Sequence, residues 1–390
     1  MIGPEAFAQD SRGIRVLYVI SNMEYGGAQR QVAELVNNFD DRRVDARICS
    51  LSHYVPLRAR LQSPERLRVV RKFFKFDLSV VPRVARLLRA FRADVVHGFL
   101  FDAEIASRLA GRLARTSLVV GSERNADYRL KPQQLAAYRL TRSMVDLVVA
   151  NSHAGAEFNC RKLGQNPLLY RVVHNGVDVE RFAPGDGLAV RRELGIAEDE
   201  GVVGMFASFK KQKNHPLFFA AARRVLDRLP NTRLLLVGEQ LYDGMHGSAA
   251  YRRRMDAVVE ELGLRDRCLF LGNRVDVERL YRACDLTVLP SLHEGLPNVL
   301  LESMASCVPV VATAVSDNPY VVRDGVTGYV VPLGDSEGLA DRVVRLLQDS
   351  ALRSRMARAA REWIEGEFSC SRLALKMEGV YRESLRTRTR

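Results

Sequence analysis

Two glutamates eight positions apart, Glu294 and Glu302, bracket the part of this 390-residue chain whose residue types best suit chemistry on hydroxyls and phosphates. The run is Leu289-Pro290-Ser291-Leu292-His293-Glu294-Gly295-Leu296-Pro297-Asn298-Val299-Leu300-Leu301-Glu302-Ser303-Met304-Ala305. The apolar residues just before it predict a strand, and Pro297 predicts a helix start, because its missing N–H costs nothing at the first helical position. Glu294 then falls in the loop and Glu302 about one to two turns into the helix, so both can face a ligand at the strand's carboxyl end. An ionised carboxylate only accepts hydrogen bonds, which suits it to vicinal hydroxyls. Between the two acids, the N–H groups of Asn298, Val299 and Leu300 project from a helix N-terminus, a ready anion site. Carboxylates for hydroxyls around a helix end for phosphate describe a site for a nucleotide-sugar.

Such a site needs parallel strands with loops at their carboxyl ends. Residues 13–20 read as a buried parallel strand, followed by the loop Ser21-Asn22-Met23-Glu24-Tyr25-Gly26-Gly27 and an amphipathic helix over 28–38. Strand, glycine loop, helix is the opening of a doubly wound α/β domain. Further strands are expected at 43–51, at 94–98 (ending on His97), at 118–124 and at 146–151, with turn chemistry at Asn175-Gly176. A polar connection begins at Pro184, and a fresh series of strands and helices starts at Gly201. Two such series predict two doubly wound domains facing a cleft. The expected divisions are 1–183 for the acceptor-side domain, 184–200 for the linker, 201–370 for the nucleotide-sugar domain and 371–390 for a final helix.

The run Ser291…Glu294-Gly295-Leu296-Pro297-Asn298…Leu301-Glu302-Ser303-Met304-Ala305 resembles the Glu-x7-Glu signature of the retaining GT-B glycosyltransferases of family 4, also called group 1. Val308-Pro309-Val310-Val311-Ala312-Thr313 and Gly325-Val326-Thr327-Gly328-Tyr329-Val330-Val331-Pro332 continue the likeness, which covers nearly the whole chain. The resemblance implies two Rossmann-like domains, with the final helix crossing back to the first. It implies that Glu302 holds the donor's ribose hydroxyls and Glu294 those of the transferred sugar. Gly295, Leu296 and the helix end at Asn298 to Leu300 would complete the donor site, with no metal and no cofactor. Gly26-Gly27 resembles the family's first-loop glycine pair, which lets backbone approach donor and acceptor. Gly272-Asn273-Arg274-Val275 resembles the loop that meets the nucleotide base, so Arg274 joins the donor set. The family commonly carries His-x-His where this chain has His97 and Phe99, and one of those histidines lies near the transferred sugar; on that basis His97 is a catalytic candidate.

A second half of the phosphate site follows the strand at 201–206, in Ser208-Phe209-Lys210-Lys211-Gln212-Lys213-Asn214-His215. A diphosphate leaving group gains negative charge as the glycosidic bond breaks, and one fixed cation aimed at it is commonly worth about 2.7–4 kcal/mol. The family places an arginine and a lysine here, five residues apart. Lys213 falls on the lysine, whereas Ser208 stands where the arginine would be, which leaves Lys210 or Lys211 as a second cation, or Lys213 alone. The family's Gly-Gly-x-Pro-Glu is replaced by Ser316-Asp317-Asn318-Pro319-Tyr320, without its acid.

Composition narrows the class. A hydrophobic content of 47% with 27% charged residues is that of a folded protein, long enough for two cores. No apolar run reaches the roughly 18–20 residues of a spanning helix. Residues 1–12 carry acids and no apolar core, unlike a signal peptide, which predicts a cytoplasmic protein. The six cysteines are scattered without a Cys-x-x-Cys pair, and the histidines show no metal-ligand spacing.

The net charge of +13 is concentrated in residues 1–180, where 28 Lys/Arg face 18 Asp/Glu. Residues 66–92 hold nine of the basic residues against Asp77 alone, interleaved with Phe73, Phe74 and Phe76. Arg83, Arg86, Arg89 and Arg92 recur at helical spacing beside Val84, Leu87, Leu88 and Phe91. The plain reading is a solvated outer helix. The sharper one is a patch for an anionic membrane surface, each basic residue contributing about 1 kcal/mol. No nucleic-acid module accompanies the charge. The expected activity is transfer of a sugar, from a UDP-sugar or secondarily GDP-mannose, to a lipid-linked or polysaccharide acceptor. The rival expectations are a catalytically silent relative serving as a binding subunit and a sugar-nucleotide epimerase.

Overall fold

The computed structural model describes residues 13–74, 77–124, 130–239 and 248–388. The first twelve residues, with their bearing on a signal peptide, lie outside the described residues, as do Lys75 and Phe76 of the basic stretch and the last two residues of the expected 371–390 segment.

Seven strands form the first sheet: β1 (Ile14–Ile20), β2 (Val44–Ser50), β3 (Leu67–Val69), β4 (Val95–Phe99), β5 (Leu118–Glu123), β6 (Leu147–Ala150) and β7 (Tyr170–Val172). Six form the second: β8 (Gly201–Phe206), β9 (Thr232–Val237), β10 (Cys268–Phe270), β11 (Leu286–Leu289), β12 (Val310–Thr313) and β13 (Gly328–Val331). The orders are β3-β2-β1-β4-β5-β6-β7 and β10-β9-β8-β11-β12-β13, and every ladder is parallel. Strands such as β1 and β12, apolar along both faces, are what a parallel sheet covered by helices on each side requires. The two doubly wound domains of a GT-B fold, as expected from the sequence, are thus present.

Both sheets reverse their winding once, between β1 and β4 and between β8 and β11. At such a reversal the loops beyond adjacent strand ends diverge and leave a crevice. The loops that leave β1, β8 and β11 carry Gly26-Gly27, Lys213 and Glu294, so the topology alone delivers most of the expected site residues to two facing crevices.

The chain returns to the first domain at its end. Val177 N–H donates to the Phe368 carbonyl at 2.8 Å and Cys370 N–H to the Val177 carbonyl at 3.0 Å. The helix Cys370–Arg388 then buries Leu373, Ala374, Met377 and Tyr381 in the core that also holds Val16, Tyr18 and Val32. Tyr381 reaches the sheet itself, its hydroxyl 2.9 Å from that of Tyr18.

The basic amphipathic helix is Val80–Phe91, with Val80, Val84, Ala85 and Leu88 inward. Arg86, Arg89 and Arg92 are exposed, but Arg83 is folded back: Nη2 donates to Asp77 Oδ2 at 3.1 Å and Nη1 to the Arg71 carbonyl at 2.8 Å. The single acid of the stretch therefore takes one of the four arginines out of the outward face.

Candidate active site

The helix that follows β11 is Asn298–Ala305, and Pro297 is its N-cap rather than its first turn, with φ −75° and ψ 121°. The N–H of Leu300 is spent on the Pro297 carbonyl at 3.2 Å. Those of Asn298 and Val299 have no acceptor among the described residues, so the open anion site is two N–H groups wide, one fewer than expected.

Glu294 is buried and held on several sides. Its Oε1 accepts from Ser291 Oγ at 2.7 Å and from Lys213 Nζ at 2.5 Å, and its Oε2 from Gln212 Nε2 at 3.3 Å. Its main chain is pinned by Ser316, whose hydroxyl donates to the Glu294 carbonyl at 2.5 Å and accepts its N–H at 3.1 Å. Lys213 ends a tight 3-10 turn, Lys211–Lys213, and Asn214 behind it turns the chain with φ 53° into the helix His215–Arg228. Lys210 is half-buried in the same group. Burial lowers its pKa, as does the charge of Lys213, partly offset by Glu294. Lys211 is exposed. Of the two candidate partners for Lys213, Lys210 is therefore the one beside it.

Glu302, one helical turn into Asn298–Ala305, is also buried, with both oxygens engaged. Tyr281 donates to Oε2 at 3.0 Å, and Arg30 reaches over from the first domain to Oε1 at 2.9 Å. Tyr281 is fixed in turn by a stack on Phe206, ring centroids 3.8 Å apart.

The facing wall is the first domain. A Cβ built on Gly27 would lie 3.5 Å from Asn298 Nδ2, so the glycine loop and the helix end stand against each other. Asn175 Nδ2 donates to Asn298 Oδ1 at 2.8 Å and to the Leu296 carbonyl at 3.1 Å. A Cβ on Gly295 would fall 2.6 Å from the Arg124 carbonyl and 2.8 Å from Asn151 Oδ1, a clash with backbone that only glycine avoids. Leu296 sends its side chain into the second core, leaving its backbone toward the cleft.

Two family models account for most of this chain. The one described as "Glycosyltransferase Family 4" matches residues 25–181, and "Glycosyl transferases group 1" matches residues 188–363. D-inositol 3-phosphate glycosyltransferase of Kribbella flavida is 31% identical over 289 residues, covering 70% of this chain and 67% of that protein. The chain belongs to the group 1 glycosyltransferases. It is also similar to UDP-Gal:alpha-D-GlcNAc-diphosphoundecaprenol alpha-1,3-galactosyltransferase of Escherichia coli, at 26% identity over 319 residues, 78% of this chain and 79% of that protein. HepE of Anabaena, solved in complex with UDP, shares the fold, with a TM-score of 0.83 and 22% identity over 95% of this chain and 100% of that one.

Two expected site residues of this glycosyltransferase stand elsewhere. His97 is fully buried in the middle of β4, with Nδ1 2.6 Å from the Tyr381 hydroxyl and Nε2 2.8 Å from Ser122 Oγ. Burial, reinforced by the charge of Arg124, holds its pKa well below the ordinary histidine range. Tyr381 of the C-terminal helix takes one ring nitrogen and Ser122 of β5 the other, so His97 is a neutral structural histidine in this structure and is not presented to the cleft. Arg274 is exposed and clamps its own loop, with Nε and Nη2 2.8 and 2.7 Å from the two oxygens of Asp276.

The glycosyltransferase also recruits residues that sequence reasoning passed over. Arg30 sits three residues past Gly27, and its helical spacing gave no reason to prefer a cleft role. Asn175 looked like turn chemistry alone. The Ser316–Tyr320 departure proves structural: Ser316 fixes Glu294, while Asp317 and Tyr320 join the domains. Asp317 Oδ2 accepts from His153 Nδ1 at 2.9 Å and His174 Nε2 at 3.0 Å, and Tyr320 stacks on His174 with centroids 4.6 Å apart. Among the described residues His153, His174 and Asp317 are a group whose ligand atoms, all within 4.8 Å of one another, could close on a cation. The Asp317 oxygens are already shared with the N–H groups of His153 and Ala154, at 2.8 and 3.0 Å.

Proposed function

We propose that this glycosyltransferase moves a sugar from a nucleotide-sugar to a lipid-linked or polysaccharide acceptor, retaining anomeric configuration and requiring no metal. A UDP-sugar is the first choice of donor and GDP-mannose the second. One observation carries the reading: Glu294 with Lys213, Glu302, and the open N–H groups of Asn298 and Val299 converge opposite Gly27 at the meeting of the two sheet crevices. In this reading Glu302 holds the ribose and Glu294 the transferred sugar. Lys213, with Lys210 behind it, and the helix end receive the diphosphate as its charge grows. The UDP bound to HepE and the UDP-Gal named in the Escherichia coli relative support a uridine nucleotide. The diphosphoundecaprenol in that relative's name supports a lipid-linked acceptor.

Peripheral membrane attachment belongs to the same proposal. Phe73 and Leu78 are exposed by 67% and 70%, with the Arg71 and Arg83 guanidinium groups 5.9 and 5.0 Å from the centre of the Phe73 ring and Arg86, Arg89 and Arg92 exposed further along the chain. Apolar side chains rimmed by cations suit an anionic bilayer surface. Among the described residues no helix is long and apolar enough to cross a membrane.

The test is thermal denaturation with UDP, GDP, ADP and CMP, on the wild type and on Glu302→Ala. A ligand at about 100 times its Kd stabilises the fold by about 2.7 kcal/mol. UDP should raise the midpoint of the wild type alone. Absence of any nucleotide shift in the wild type overturns the reading in favour of a silent relative. With UDP established, product analysis on a lipid-linked acceptor reads transfer, and the anomeric coupling constant reads retention. Activity kept in EDTA supports metal independence.

A further inference from the structure

Arg124 follows β5 at its carboxyl end, on the first-domain side of the cleft. Its Nη1 donates to Asn175 Oδ1 at 3.0 Å. Asn175 in turn holds Asn298 and the Leu296 carbonyl, so one side chain separates Arg124 from the helix end with the open N–H groups. The backbone makes the same connection, because the Arg124 carbonyl is what a side chain on Gly295 would strike.

The rest of the guanidinium is unspent. Nε and Nη2 are closed to solvent, and among the described residues neither has an acceptor. Nor does Arg124 form an ion pair with any described acid. Its plane lies over the Phe99 ring, 4.6 Å from the centroid. Burial draws its pKa down to about 10, which still leaves it charged at neutral pH. Tyr381, Tyr18 and Glu123 offset part of the effect of burial. A buried guanidinium edge without acceptors is unfavourable unless the acceptors arrive with a ligand. Nε and Nη2 are the edge of the fork that takes two oxygens of one tetrahedral anion side by side.

We infer that Arg124 is a phosphate receptor on the first domain, gripping a phosphate through Nε and Nη2 across from the helix end at Asn298. The inference rests on the nucleotide-sugar reading of the cleft. The phosphate belongs either to the donor's diphosphate or to the diphosphate of a lipid-linked acceptor, and the two sources separate experimentally.

Calorimetry on the full chain with UDP, uridine, inorganic pyrophosphate and farnesyl diphosphate, using wild type, Arg124→Gln, Arg124→Lys and Glu302→Ala, makes the test. Arg124→Gln should weaken at least one diphosphate probe tenfold or more and leave uridine unchanged. Loss confined to UDP and pyrophosphate assigns the donor; loss confined to farnesyl diphosphate assigns the acceptor. Arg124→Lys keeps the charge without the fork and should recover only part of the binding, which guards against a folding defect in Arg124→Gln. Diphosphate binding that needs Arg124 in a protein blind to uridine keeps the receptor and sinks the nucleotide reading. Unchanged binding of every diphosphate by both Arg124 variants, with UDP lost in Glu302→Ala, overturns the receptor and leaves the nucleotide site standing. A wild type that binds no diphosphate probe overturns both.

Discussion

Arg30 and Glu302 join the two domains across the cleft, Nη1 to Oε1 at 2.9 Å, at the residue proposed to hold the ribose. Each carboxylate oxygen has two acceptor positions. With Arg30 on one oxygen and Tyr281 on the other, one position on each remains for a hydroxyl. The pair therefore orients Glu302 and leaves it able to bind. Arg30 is a third exposed, so the contribution of the pair is that of a partly screened bridge, about 0.5–1 kcal/mol. Arg30→Gln should weaken UDP by about two- to fivefold, whereas Glu302→Gln should remove measurable binding. Tighter UDP binding by Arg30→Gln in calorimetry would mean that the arginine competes with the ribose.

Lys213 is the cation in contact with Glu294, and its charge is proposed to serve the leaving diphosphate. Lys213→Met should cost about 10²–10³ in kcat, with a smaller change in the KM of the donor. Lys210→Met, one step further back, should cost less. Steady-state rates with the donor that passes the thermal screen decide; equal losses from both variants would mean a shared rather than a leading role for Lys213.

Two buried histidines predict how stability responds to acid. His97 is held neutral by burial and Arg124, and His215 is brought to about 3 by burial, with Lys213 and Arg252 adding to the effect. The unfolded chain takes up a proton at each as pH falls below about 6.5, while the folded chain does not. Each should therefore reduce stability by up to about 1.4 kcal/mol per pH unit below that point, an effect absent above it. Urea unfolding of wild type and His97→Gln from pH 7.5 to 5 should show a shallower decline in the variant. Equal slopes would mean that His97 titrates normally in the folded state.

The fold was legible in the sequence because its signals are local. Apolar strands, glycine loops and amphipathic helices each declare themselves within a dozen residues, and the winding reversal then gathers Gly27, Lys213 and Glu294 at facing crevices. Ser291, Glu294 and Glu302 were legible for the same reason, as parts of one loop and one helix. What escaped was the pairing of distant segments. His97 reads as a strand-end residue in the sequence, but the strand runs on to Phe99 and a tyrosine 284 residues later covers the ring. Arg30 and Glu302 are 272 positions apart and Asn175 and Asn298 123, with nothing in either local sequence to announce the partner. The plain reading of Arg83 had weight for a similar reason: its partner Asp77 was visible, but the fold-back was not.

The Asp317 clasp gives the last prediction. This carboxylate belongs to the second domain and caps the first-domain helix His153–Leu163 through the N–H groups of His153 and Ala154, while both His153 and His174 bond to it. Burial pushes its pKa up, but the hydrogen bonds from His174, from the two N–H groups and from the His153 ring outweigh burial and hold it at about 2. A carboxyl depressed from its ordinary 3.8 adds stability that is complete above that value and is lost as pH falls towards about 2. Asp317→Asn keeps the shape but removes the charge, and should cost about 1–3 kcal/mol at neutral pH. Tyr320→Ala, which removes the stack on His174, should cost less and show no such pH dependence. In urea unfolding followed from pH 7 to 2.5, the gap between wild type and Asp317→Asn should stay level down to about pH 4 and then narrow. A gap that stayed level down to pH 2.5 would mean that the hydrogen bonds do not depress the Asp317 carboxyl.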